Sequence, residues 1–98
     1  MNEYEGIEDR IMEMLDRPGW VSVRGCVNPS SSPPTEEELR RVETVMYAVA
    51  KQGRAALWRL IIQDGAEELL AVARPDLELD KELEQRSAWA KAVRITEL

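Results

Sequence analysis

Residues 34–74 read PTEEELRRVETVMYAVAKQGRAALWRLIIQDGAEELLAVAR, and the change of period inside this stretch decides the fold. Thr35 followed by Glu36-Glu37-Glu38 is a capping box: the threonine hydroxyl and the Glu38 carboxylate can satisfy orphan amides at a helix start. Leu39, Val42, Val45, Met46 and Val49 then recur on one helical face. Gly53 falls where a helix-terminating glycine belongs. The spacing predicts a helix over residues 36–52. After Gly53 the period drops to two: Trp58, Leu60 and Ile62 alternate with Arg59, Ile61 and Gln63. Asp64-Gly65 is a strong two-residue hairpin signal. Leu69 to Ala73 supplies the return strand, with Leu70 and Val72 on one face and Leu69 and Ala71 on the other, and Arg74-Pro75 ends it.

Upstream, Ile7, Ile11, Met14 and Leu15 sit at helical spacing, so residues 5–16 form an amphipathic helix closed by Pro18-Gly19. Trp20-Val21 is a short extended piece or a buried anchor. Ser22 can cap a short helix over residues 22–28. The alternation of Val21 and Val23 also suits a strand, and Gly25 weakens both readings. Residues 28–34 hold three prolines and three serines, a composition that excludes a regular element. Downstream, residues 76–80 are a connector. Asp80 caps a last helix, expected over residues 79–94, with Leu83, Ala90 and Val93 on one side and Trp89 near that stripe.

The whole chain has 98 residues, 44% of them hydrophobic, which suits one small domain with a thin core. No run approaches the ~18 apolar residues of a membrane span, and the acidic start Met1-Asn2-Glu3-Tyr4-Glu5 lacks a basic leader region. Cys26 is the only cysteine. This excludes an intrachain disulfide and fits a reducing, cytoplasmic setting. The chain contains no histidine, so Cys/His and Ser/His/Asp chemistry is excluded, and so are histidine-rich zinc sites. It also lacks glycine-rich nucleotide loops. Glu36-Glu37-Glu38 is explained by the helix dipole, and Glu67-Glu68 lies beside a turn. The expectation is a protein without enzymatic activity, cofactor or metal.

The order helix, short helix, loop, long helix, hairpin, helix defines a mainly α fold with one β-hairpin (α+β). Residues 7–74 resemble a winged helix-turn-helix domain. Ile11 through Arg24, with its Trp20-Val21-Ser22-Val23-Arg24 run, is similar to that family's first helix and the entry to its second. Pro34 to Arg54 is similar to the third, recognition, helix, and Ala56 to Arg74 to the two-stranded wing. The chain departs from the family in its short, glycine-interrupted second helix and in the proline-serine loop that follows it. The resemblance implies a single domain over residues 1–98 that binds double-stranded DNA in transcription regulation. In this family the third helix enters the major groove and the wing touches the backbone. Carried over, the contacts would be Arg24, Ser31, Arg40, Arg41, Thr44, Tyr47, Lys51 and Arg59.

Two considerations oppose that reading. Thirteen basic residues against nineteen acidic ones leave a net charge of −6, whereas DNA affinity rests on displacing counterions with Lys and Arg. Arg40 and Arg41 can also serve as partners of Glu36, Glu37 and Glu38 along their own helix. An acidic winged-helix module that binds a protein partner, as adaptor or inhibitor, is therefore the alternative. Dimerisation would bury more surface. Leu83, Trp89, Ala90 and Val93 are the candidate seam of a homodimer, unless the last helix folds onto its own domain. Trp20 and Trp58 are expected to anchor the core where the first helix, the wing and the third helix meet.

Overall fold

The computed structural model describes residues 3–26, 35–86 and 90–96. The elements are α1 (Glu3–Asp16), β1 (Trp20–Ser22), a 3-10 turn (Arg24–Cys26), α2 (Glu36–Lys51), β2 (Ala56–Ile62), a 3-10 turn (Gln63–Gly65), β3 (Glu67–Ala73), α3 (Leu79–Arg86) and β4 (Ala90–Ile95). The fold is α+β: the described residues form three α-helices and one four-stranded antiparallel sheet in the order β1-β3-β2-β4. β2 and β3 pair along their whole length, from Ala56↔Ala73 to Ile62↔Glu67. β1 joins the outer side of β3 through Val21↔Val72. β4 joins the outer side of β2, from Leu57↔Ile95 to Ile62↔Ala90.

Side chains alternate across a sheet, and here both faces are covered. On one face Val21, Leu57, Leu70 and Val72 pack with Ile11 and Leu15 of α1 and Val42, Val45, Met46, Val49 and Ala50 of α2. On the other, Ala56, Trp58, Leu60, Ala71 and Ala73 pack with Leu79 and Leu83 of α3, and half-buried Trp20, Leu77 and Ala92 complete that layer. The two-sided burial explains why β2 and β3 are apolar at both parities, a pattern that an outward-facing hairpin would not need.

Three expectations are corrected. The helix expected over residues 79–94 stops at Arg86, and Ala90–Ile95 is a strand. β2, apolar on both faces, would otherwise leave its backbone N–H and C=O groups unpaired along one edge, and β4 satisfies them. The hairpin is accordingly part of a four-stranded sheet. Trp20 and Trp58 anchor the layer beneath α3, on the face away from α1 and α2. The hairpin connection is also longer than two residues. With Ile62 paired to Glu67, residues 63–66 form the loop, and Gln63 (φ 51°) and Gly65 (φ 98°) make its bend.

The long helix forms as its caps dictate. Thr35 Oγ1 accepts from the Glu38 amide at 3.2 Å, and Gly53, at φ 75°, ends α2 in the left-handed region. Ser22 belongs to β1, and its Oγ accepts from the Gly25 amide at 3.3 Å, capping the single 3-10 turn at Arg24–Cys26. Both readings of this segment are thus partly realised: strand through Ser22, then one turn of helix. Residues 27–34, including the proline-serine loop, lie outside the described residues. Among the described residues no helix is long and apolar enough to cross a membrane.

Candidate nucleic-acid interface

An α-helix advances 100° per residue. With Val42, Val45, Met46, Val49 and Ala50 turned inward, the opposite arc of α2 carries Glu37, Arg40, Arg41, Thr44, Tyr47, Ala48 and Lys51. All are exposed except half-buried Arg41. Five of the eight sequence-derived contact candidates, Arg40, Arg41, Thr44, Tyr47 and Lys51, are therefore brought together on one open face. That face holds three cations and Glu37, with Glu36 at its edge beside Arg40.

Its local bonds are modest. Arg41 Nη2 meets Glu37 Oε1 at 2.9 Å, an i,i+4 pair on the surface, of a kind worth only ~0.3–0.5 kcal/mol. The Thr44 hydroxyl donates to the Arg40 carbonyl at 2.8 Å. Neither Arg40 nor Lys51 has an ion-pair partner among the described residues. Glu38 lies off this face, but Glu36 stands at its edge one helical turn before Arg40, so the acidic helix start places Glu36 and Glu37 beside the arginines.

The remaining candidates separate. Arg59 lies on the same side of the sheet as α2, because it alternates in phase with Leu57, and it is exposed. Arg24 is held in an ion pair with Glu67, next to the hairpin loop. Ser31 lies outside the described residues. The candidate dimer seam does not form a helical stripe. Leu83 is buried in the chain's own core under α3. Ala90 and Val93 lie on β4 with opposite parity, so they face opposite sides of the sheet, and Trp89 lies outside the described residues. Lys91 was missed by the sequence reading because a helix over residues 79–94 gave it no face. The signal that could have found it is the two-residue alternation of Lys91, Val93 and Ile95.

Charge is unevenly distributed. Residues 3–16 and 76–86 together hold eleven of the nineteen acids and three of the thirteen bases, leaving eight acids and ten bases elsewhere. Much of the acid excess thus belongs to α1 and to α3 with its connector, and α3 lies across the sheet from α2. A shallow groove of about 580 Å³ on the α3 side is lined by Asp76, Glu78 and Asp80 beside Trp58 and Arg94. Its carboxylates repel phosphate. Trp58 Nε1 is buried there without a hydrogen-bond partner.

Cys26 is buried, and the Arg10 guanidinium donates to its carbonyl oxygen. Burial pushes its thiol pKa up to about 11, with Arg10 opposing, so at neutral pH it remains a protonated core residue. Among the described residues no group of three or more Cys, Asp or Glu side chains is placed to hold a metal ion. The chain matches no protein-family model, no curated protein and no solved structure.

Proposed function

We propose that this chain is a winged-helix-type DNA-binding regulator whose α2 lies in the major groove. The observation that carries the reading is the outward face of α2: Arg40, Arg41, Thr44, Tyr47 and Lys51 on one arc, with the acids Glu36 and Glu37 confined to its first turn. Arginine and lysine at such positions read guanine edges or neutralise phosphates, and threonine and tyrosine hydroxyls add polar contacts. The connectivity supports it as well. Helix, strand, turn, helix and hairpin follow one another, and the first strand closes the outer side of the hairpin in the order β1-β3-β2. The charge distribution removes only the α3 share of the objection raised by a net charge of −6: α3 and its acids lie across the sheet, whereas α1, with six acids and one base, packs on α2's side.

The test is binding of the full chain to a fluorescent pool of random-sequence duplexes, read by anisotropy. Binding at low salt that weakens steeply as salt rises, and that Arg40→Ala with Lys51→Ala reduces at least tenfold, supports the reading. Absence of binding at low salt rejects it. A second reading, an adaptor or inhibitor that docks on a protein, is favoured by one observation. The hairpin end carries Asp64, Glu67 and Glu68, where a phosphate-contacting wing would carry bases.

A further inference from the structure

The acidic hairpin end raises the question of what could replace it beside α2. The register supplies an answer. Arg59 stands opposite Val93, and Ile61 opposite Lys91, so Arg59 and Lys91 are diagonal neighbours on adjacent strands. Both share the parity of Leu57 and Leu70, which places them on α2's side of the sheet. The helices cover Leu57, Leu70 and Val72 but leave the far ends of β2 and β4 open. Arg59 and Lys91 are exposed there, Ile61 is half-buried and Val93 is 51% exposed. Neither cation has an ion-pair partner among the described residues. The acid on this part of the face is Glu68, opposite Ile61 on β3: it is diagonal to Arg59, as Lys91 is on the other side, and two strands from Lys91, and no ion pair joins it to Arg59 among the described residues.

We infer that β4 extends the DNA-binding surface, with Lys91 and Arg59 gripping the phosphodiester backbone of the duplex in place of the hairpin end. The inference rests on the reading of α2 as the DNA-contacting helix. Diagonal positions on paired strands are about 7–8 Å apart, so two long cationic side chains reach separate phosphates. Ile61 and Val93 between them offer apolar contact to the sugar edges. Charge complementarity selects the occupant: an open face with two uncommitted cations fits a polyanion. Such contacts are blind to sequence and act through counterion release.

The experiment compares wild type with the double variant Arg59→Ala/Lys91→Ala on one duplex that wild type binds, across 50–200 mM salt. Both side chains are exposed, and far-UV circular dichroism checks that the variant is folded. Each lost phosphate contact lowers the slope of log K against log salt by about 0.9. The loss of two contacts makes the wild-type advantage shrink about 12-fold between those salt concentrations. Lys81→Ala, on α3 across the sheet, should leave the slope unchanged. If wild type binds and the double variant has the same slope, the inference is overturned while the α2 reading stands. If wild type does not bind the duplex at 50 mM salt, both fall together.

Discussion

Replacing Leu79 by alanine tests the two-sided sheet on which the placement of every charge depends. Leu79 opens α3, is 0% exposed, and packs in the layer with Trp58, Leu60, Ala71, Ala73 and Leu83. Leu→Ala at a fully buried site costs about 2.7–5 kcal/mol, the lower values belonging to sites that can collapse. α3 is a single eight-residue helix, and Leu79 and Leu83 are its buried residues. So thin a layer can settle, which puts the cost at about 3 kcal/mol. For a domain of this size each kcal/mol moves the melting temperature by about 4–8 °C, so the expected fall is about 12–24 °C. The assay is thermal unfolding followed by circular dichroism at 222 nm. Because α3 lies across the sheet from α2, the DNA affinity of the folded variant should stay within about twofold of wild type, well under 1 kcal/mol. A fall of less than about 4 °C, corresponding to under 1 kcal/mol, would refute the packing. Leu79 would then not be core, and residues 79–95 would not close the second face.

Two further substitutions probe local structure. Gly53→Ala should cost about 1 kcal/mol in urea unfolding: Gly53 sits at φ 75° with no atom within 4 Å of an added Cβ, so the penalty is backbone strain alone. Gly53→Asn should recover part of it, and an Ala variant as stable as wild type would contradict the left-handed cap. For Cys26, the folded thiol keeps its proton up to about pH 11, whereas the unfolded thiol loses it near its ordinary value of 9.0. Between those values the folded state binds the extra proton, so stability falls as pH rises, by at most about 1.4 kcal/mol per unit. Wild type should therefore lose more stability than Cys26→Ala between pH 8 and pH 10, and equal losses would show the thiol to be exposed.

The parts of the fold legible in the sequence are those set by local chemistry. Thr35 and Gly53 bracket α2 because caps act within a few residues, and the hairpin is visible in the change of period after Gly53. β4 was not legible for a physical reason. Leu83, Ala90 and Val93 fit a helical stripe, alanine favours helix, and the competing alternation over Ala90–Ile95 acquires meaning only when β2 offers an open edge. The signal available in advance was the two-sided apolarity of Leu57-Trp58 and of Leu69-Leu70-Ala71-Val72-Ala73. A strand buried on both faces needs a layer on each side, which a hairpin covered on one face by two helices does not supply. The tryptophans follow the same logic. Alternation places Trp58 opposite Leu57 in parity, but which parity meets α2 is fixed only by tertiary packing. For the candidate site, α2's outward arc follows from its inward one, so Arg40, Thr44, Tyr47 and Lys51 could be read directly. Lys91 could not, since its face exists only through pairing with β2.

The central claim, that the outer face of α2 is the DNA-contacting surface, is tested most directly by titrating duplex DNA into the isotope-labelled protein and following backbone amide shifts by NMR. The account predicts the largest changes at Arg40, Thr44, Tyr47 and Lys51, with smaller ones at Arg59 and Lys91 and little change along α3 (Leu79–Arg86). Changes concentrated on α3 or the hairpin end, with α2 silent, would contradict it.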